Sequence, residues 1–114
     1  MPFDAPPEVT AEQAVALLDG PAVLLDVREQ DEWDAGHAPQ AVHLPMSEIS
    51  ARVGEIPREL AVVCVCRVGG RSGAVAAALN HAGWQAYNLA GGMSAWAAAR
   101  LPVVVPGGGP GTVS

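Results

Sequence analysis

The sequence AVVCVCRVGGRSGAVAAA, from Ala61 to Ala78, places a cysteine between an apolar strand pattern and a small-residue helix pattern. The apolar run from Leu60 to Val65 is typical of a buried strand, and Cys66 follows it directly. The helix is predicted to begin near Arg71, with Ser72 at the position of an N-cap. The thiol of Cys66 is therefore expected where a strand, a tight loop and a helix meet.

The loop after Cys66 has the composition of an anion cradle. Gly69 and Gly70 let the backbone curl until its amide groups point inward, and a helix N-terminus adds partial positive charge. Arg67 and Arg71 lie on either side of the two glycines. Because these groups stabilise a thiolate, we predict that the pKa of Cys66 is lowered and that Cys66 is a nucleophile. The alternative is a structural cysteine in a core strand.

Length and composition limit the kind of protein. The chain has 114 residues, half of them apolar, which is enough for one domain with a single core. No apolar run reaches membrane-spanning length, and the N-terminal residues lack a signal-peptide pattern. The only two cysteines lie two positions apart, so they do not form a disulfide framework. We therefore expect a soluble cytoplasmic protein that binds no membrane.

Charge is distributed unevenly along the chain. The net charge is -6, which argues against nucleic acid as a partner, since phosphate contacts require a basic face. All twelve acidic residues lie at or before Glu59, whereas Arg67, Arg71 and Arg100 follow it without any acid. The half that contains the cysteine loop is thus predicted to attract small anions.

Strand and helix patterns alternate along the chain with short links. Thr10 and Gln13 form a capping box for a first helix, and Ser47 is predicted to cap a later one. Buried strands are predicted over Ala22 to Val27 and over Gln85 to Leu89, in addition to the strand before the cysteine. This alternation predicts an α/β fold with a central parallel sheet of four to five strands and helices on both faces.

The domain is predicted to span residues 8–101, with its last helix running from Met93 to Arg100. Residues 1–7 have the composition of a flexible lead-in, and residues 102–114 that of a flexible tail rich in glycine and proline. In a parallel sheet the loops that follow the strands share one edge. Four loops are therefore expected to converge on one site: Asp26–Arg28, His43–Pro45, Cys66–Ser72 and Ala90–Gly92.

The chain resembles a single-domain rhodanese, a sulfurtransferase module, in four segments that occur in the order and spacing of that family. They cover about Val9 to Arg100. The segments are LLDVRE at Leu24–Glu29, Gly36 and His37 with Ala41 and His43 in GHAPQAVHLP, VVCVCRVGGRS at Val62–Ser72, and NLAGGMSAW at Asn88–Trp96.

The resemblance implies a rhodanese-like fold with Cys66 as the catalytic residue, which carries sulfur as a persulfide. It also implies that Asp26 and Arg28 support the site from the neighbouring strand. The loop that binds the substrate would consist of Arg67, Val68, Gly69, Gly70, Arg71 and Ser72. The implied donor is a small sulfur anion such as thiosulfate, and the implied acceptor is cyanide or a cellular thiol. Such chemistry needs no metal and no organic cofactor.

Two alternative functions stay open at this point. A sulfur-relay or binding module, which accepts sulfur from a partner protein without turnover, would have the same residues. A small cysteine phosphatase is the other, but phosphatases of related fold have one residue more between cysteine and arginine than the four that separate Cys66 from Arg71. Val68 stands where the family often has a small polar residue, which leaves the donor preference open.

Four residues in or near the loop, Cys64, Asp26, Arg28 and Arg71, have alternative predicted roles. Cys64 is predicted to pack in the core, with a resolving thiol as the alternative. Asp26 is predicted to pair with Arg28 and fix the strand end, whereas Arg28 and Arg71 are equal candidates for steering an anion.

Overall fold

The sheet consists of five parallel strands. The structure is a computed structural model and describes residues 3–114. Its strands are β1 (Glu8–Val9), β2 (Ala22–Asp26), β3 (Val42–His43), β4 (Ala61–Val65) and β5 (Gln85–Leu89). Their order across the sheet is β1-β5-β4-β2-β3, so the strand that leads to Cys66 lies in the centre. The predicted α/β fold with a parallel sheet is confirmed.

The described residues form five helices, and helices pack on both faces of the sheet. They are α1 (Ala11–Leu18), α2 (Gln30–Ala35), α3 (Ile49–Arg52), α4 (Gly70–His81) and α5 (Gly92–Ala98), and short 3₁₀ turns flank α3. Among the described residues, no helix has the length and hydropathy needed to span a bilayer.

Alternation along β4 divides the core into two clusters. Val62 and Cys64 pack with Val75 of α4, whereas Val63 packs with Trp96 of α5 on the opposite face. Successive side chains of a strand point to opposite faces of the sheet, so alternate residues of β4 pack against the same helix. Cys66 continues the set of Val62 and Cys64 and lies in the cluster on the α4 side.

The capping box of α1 is confirmed, but the predicted cap at Ser47 is wrong. The Thr10 hydroxyl accepts from the Gln13 amide at 3.1 Å, and the Gln13 side chain accepts from the Thr10 amide at 2.9 Å. Ser47 instead lies within a 3₁₀ turn that Pro45 precedes, and its hydroxyl donates to the Glu29 carboxylate at 2.9 Å. An acceptor from a distant element thus replaces the expected local backbone partner.

The short edge strand β1 was not predicted, because two residues are too few for a periodic pattern. It falls at the boundary between the predicted lead-in and the domain. Residues 1–2 of that lead-in lie outside the described residues, and Phe3 stacks on His81 with ring centroids 4.4 Å apart. The last helix begins at Gly92 and ends at Ala98, so it is shorter than predicted.

The C-terminal residues fold back onto the turn that follows α2. Val104 and His37 exchange two backbone hydrogen bonds of 2.8 Å, and the Thr112 amide donates to the Ala35 carbonyl at 3.0 Å. Gly36 has no room for a side chain here, because a Cβ atom would overlap the Thr112 backbone. The flexibility of residues 102–114 stays a prediction, as does that of the lead-in.

Candidate active site

The loops after β4 and β5 are joined by backbone hydrogen bonds at the carboxyl edge of the sheet. The amides of Met93 and Ser94 donate to the carbonyls of Cys66 at 2.8 Å and of Arg67 at 3.0 Å. Gly92 has φ +59°, and a Cβ atom there would overlap both carbonyls. The start of α5 therefore packs directly against the backbone of the cysteine loop, and this close approach requires glycine at position 92.

The sulfur of Cys66 lies among hydrogen-bond donors. The Gly69 amide donates to it at 3.1 Å, and the Ser72 hydroxyl lies 3.2 Å away. Burial raises the pKa of the Cys66 thiol, but hydrogen bonds from the Ser72 side chain and from the amides of Ser72, Gly69 and Val68 lower it by more. The net effect is a pKa below the ordinary thiol value, as the loop composition predicted.

The loop covers the sulfur almost completely. Cys66 is 1% exposed, whereas Arg67, Val68 and Gly70 are exposed and Gly69 is half-buried. Val68 is 65% exposed and is one of the most exposed large apolar residues. A reagent must therefore pass these rim residues before it reaches the thiol.

The predicted N-cap at Ser72 is wrong by three residues. The cap of α4 is Gly69, which has φ +116° and so adopts the left-handed conformation that favours glycine. Ser72 is fully buried in the first turn, where its side chain faces Cys66 instead of a free helix amide. Because the helix begins earlier, a residue expected to end the loop becomes part of the thiol's surroundings.

Asn88 holds both groups that contact the sulfur, and sequence reasoning missed it. Its side-chain oxygen accepts from the Ser72 hydroxyl at 2.6 Å, and its nitrogen donates to the Gly69 carbonyl and to the Glu8 carboxylate, each at 3.0 Å. Asn88 is 3% exposed and lies near the carboxyl end of β5. An asparagine inside a strand pattern indicates such a role, because buried polar groups require partners.

Asp26 and Arg28 form a fully buried ion pair at the end of β2. The guanidinium Nη2 lies 2.8 Å from the carboxylate, and both side chains have no exposed surface. Arg28 also donates to the Gly36 carbonyl at 2.8 Å and to the Glu32 carbonyl at 3.4 Å. Its contacts hold the two ends of α2 against the strand and leave no surface for a solvent anion.

The Arg71 side chain is paired with a carboxylate of α2 and is not a free cation of the loop. Its two terminal nitrogens donate to the two carboxylate oxygens of Glu32 at 2.6 and 2.8 Å. The hydrogen bonds from Arg71 hold the pKa of the Glu32 carboxyl below its usual range. All acidic residues lie at or before Glu59 in the sequence, and folding brings one of them, Glu32, to the cysteine loop. Among residues 3–114, no ion pair forms at Arg67.

Cys64 is chemically different from Cys66. It is fully buried, and desolvation, with a smaller contribution from Cys66, raises the pKa of its thiol to about 12. Both cysteines are free thiols. A neutral thiol enclosed by core residues fits the predicted packing role.

His37 and His43 each stack on the Trp33 ring, with centroids 3.5 and 4.6 Å away. His37 Nδ1 lies 2.9 Å from the Trp33 carbonyl, and His43 Nε2 lies 2.7 Å from the Arg28 carbonyl. Both imidazoles therefore brace the turn around α2, which carries Glu32.

Comparison with known proteins agrees with this geometry. A model of the rhodanese-like domain matches residues 10–99. The chain is 42% identical over 87 residues to a sulfurtransferase of Allochromatium vinosum, with 75% of this chain and 81% of that protein covered. A rhodanese-related protein of Thermoplasma volcanium has a TM-score of 0.81 at 25% identity, with 87% of this chain and 98% of that chain covered.

A rhodanese-like domain protein of Staphylococcus aureus has a TM-score of 0.73 at 30% identity, with 79% of this chain and 90% of that chain covered. The chain belongs to the rhodanese-like domain family. This confirms the resemblance read from the four sequence segments and the rhodanese-like fold, and it supports sulfurtransferase activity at the level of the family.

Proposed function

We propose that this protein is a sulfurtransferase that moves sulfane sulfur from a donor such as thiosulfate to a thiophilic acceptor through a persulfide on Cys66. The observation that carries the proposal is the pair of contacts at the sulfur, 3.1 Å from the Gly69 amide and 3.2 Å from the Ser72 hydroxyl. These donors stabilise the Cys66 thiolate, which is the attacking group of the first half-reaction and the leaving group of the second.

In the first half-reaction the Cys66 thiolate attacks the outer sulfur of thiosulfate. A sulfur–sulfur bond forms to the enzyme while the sulfur–sulfur bond of thiosulfate breaks, and sulfite leaves with the electron pair. The lowered pKa of Cys66 supplies the thiolate without a dedicated base.

In the second half-reaction an acceptor attacks the outer sulfur of the persulfide. Cyanide then leaves as thiocyanate, or a cellular thiolate leaves as its own persulfide, and the bonding pair returns to Cys66 as a thiolate. The amides of Val68, Gly69 and Ser72 stabilise this leaving group as they stabilise the resting thiolate.

The loop residues divide into a cradle and a rim in this proposal. Gly69 and Ser72 contact the sulfur, Arg67 offers an exposed charge to the arriving anion, and Arg71 and Val68 limit what enters. Gly70 begins α4 and keeps the loop short. Asp26 and Arg28 support the site through their buried pair. The proposed reaction uses no metal and no cofactor, and a reduced environment such as the cytoplasm suits its two free thiols.

Thiosulfate turnover with cyanide as acceptor tests the proposal. Wild-type protein and Cys64→Ala are expected to form thiocyanate, whereas Cys66→Ala is expected to form none above the rate without enzyme. The Cys64 variant is the matched control, because it removes the other thiol of the same strand. Turnover by Cys66→Ala would refute the role of Cys66. A wild-type protein whose Cys66 is readily alkylated but does not turn over would favour a sulfur relay.

A further inference from the structure

We infer that Glu32 is a specificity-determining residue that lowers the affinity of the site for highly charged sulfur anions, which favours donors of low charge such as the persulfides of organic thiols. The inference rests on the proposed function and names its substrate class. Neither sequence pattern nor motif pointed to Glu32, which lies 39 positions before Arg71.

The Glu32–Arg71 contact is of the strongest kind that these side chains form. Both terminal nitrogens of Arg71 are engaged, at 2.6 and 2.8 Å, in the parallel geometry in which a guanidinium matches a carboxylate. The same nitrogens would bind the oxygens of a sulfur oxyanion. An anion that binds both terminal nitrogens through this face must therefore displace Glu32, and otherwise it meets only the remaining N–H groups, beside a carboxylate of like charge.

Glu32 is held in place independently of Arg71. One of its carboxylate oxygens also accepts from the Glu29 amide at 3.1 Å, which completes the capping box of α2. The Glu32 side chain is 17% exposed and that of Arg71 is 37% exposed, so solvent screens the pair only in part. The carboxylate thus remains at the site as a fixed negative charge.

The Arg71 guanidinium lies within electrostatic reach of the Cys66 sulfur. Hydrogen bonding to Glu32 and, to a smaller extent, the charge on Cys66 raise the pKa of Arg71. Pairing with Glu32 makes this side of the site close to neutral, and Arg67 is then the unpaired cation of the loop within residues 3–114. Val68, 65% exposed, adds an apolar surface to the rim. A low-charge donor with an organic group suits this rim better than a dianion does.

Glu32→Gln tests the inference, because it removes the charge and keeps the size of the side chain. The control is Glu55→Gln, since Glu55 accepts from Arg52 through both carboxylate oxygens, each at 2.9 Å, in a pair confined to α3 and the turn after it. Glu32→Asp retains the charge. Glu32→Ala removes it in a second way, so the measurement does not depend on one variant.

The readout is the rate of Cys66 alkylation by iodoacetate relative to iodoacetamide, two reagents of similar size that differ in charge. Rates are taken at a pH where the thiol is fully ionised, so that a change in the pKa of Cys66 cancels in the ratio. Removal of one nearby charge is expected to raise the ratio about fivefold in Glu32→Gln and Glu32→Ala. The ratio should stay within about twofold of wild type in Glu32→Asp and Glu55→Gln.

An unchanged ratio in both charge-removing variants would overturn the inference. A lower ratio would overturn it as well, because Glu32 would then position Arg71 for anion binding. Thiosulfate kinetics give the second readout. Because thiosulfate carries two charges and iodoacetate one, its KM is expected to fall by about 25-fold in Glu32→Gln while kcat stays near wild type. Alkylation requires no turnover, so a failure of the proposed reaction and a failure of the role of Glu32 are distinguishable.

Discussion

The hydroxyl of Ser72 lies 3.2 Å from the sulfur of Cys66, inside the first turn of α4. This hydroxyl has one hydrogen and two neighbours, because the Asn88 side-chain oxygen lies 2.6 Å away on its other side. A neutral thiol can donate to the Ser72 oxygen while the hydroxyl donates to Asn88. When the thiol ionises, the hydroxyl can turn its hydrogen to the sulfur and stabilise the negative charge.

Ser72→Ala is expected to raise the pKa of Cys66, since the variant removes a hydrogen-bond donor from the thiolate. The measurement is the rate of iodoacetamide labelling as a function of pH. In wild type the midpoint should lie below that of free cysteine measured under the same conditions. Ser50→Ala, at an exposed position of α3, should leave the midpoint unchanged. A Ser72→Ala midpoint equal to wild type would show that the backbone amides alone set the pKa.

Cys64 is expected to resist labelling in the folded protein. Its thiol is fully buried, and desolvation raises its pKa to about 12, so almost no thiolate forms near neutral pH. Mass spectrometry should find one alkylated cysteine under native conditions and both after denaturation. Labelling of Cys64 at a rate similar to Cys66 would contradict its placement in the core.

Arg28→Ala is expected to lower the free energy of unfolding by about 3–5 kcal/mol, because it leaves the Asp26 carboxylate buried without its partner. Urea denaturation measures the change. Arg52→Ala is the comparison, since its ion pairs with Glu48 and Glu55 are exposed, and its effect should be much smaller. Equal losses in the two variants would mean that the buried pair does not fix the end of β2.

Gly92→Ala is expected to reduce thiosulfate turnover by about a hundredfold, because small displacements of a catalytic group have effects of that size. The added Cβ atom would overlap the carbonyls of Cys66 and Arg67 at a backbone φ of +59°, so the loop must shift. Gly54→Ala is the control, since no atom lies within 4 Å of a Cβ atom there. Full activity in Gly92→Ala would show that the loop tolerates this movement.

Much of the fold could be predicted from sequence, because it depends on patterns within a few residues. The run before Cys66, the glycines after it and the capping box of Thr10 each specify local structure. Strand β1 was not predicted, because its two residues are too few to form a periodic pattern. Its pairing with Asn88 and Leu89 depends on the folded sheet.

The cysteine loop of the site could be predicted from sequence, whereas the residues that contact this loop from other elements could not. Cys66 and the cradle after it lie within one segment, so composition alone indicated a lowered pKa. Glu32 and Asn88 contact the loop across 39 and 16–19 positions, and only the packing of parallel strands brings them there. The cap at Ser72 was predicted wrongly because Gly69 also qualifies, and a left-handed glycine lets the helix begin earlier.

Intact-protein mass spectrometry detects the persulfide proposed on Cys66 without relying on turnover. Reduced protein is incubated with thiosulfate, freed of excess donor and measured before and after addition of cyanide. Wild-type protein is expected to gain the mass of one sulfur atom, located on Cys66 by fragmentation, and to lose it as thiocyanate when cyanide is added, while Cys66→Ser gains none. An unchanged wild-type mass, or a sulfur adduct that also forms in Cys66→Ser, would show that Cys66 does not carry the sulfur.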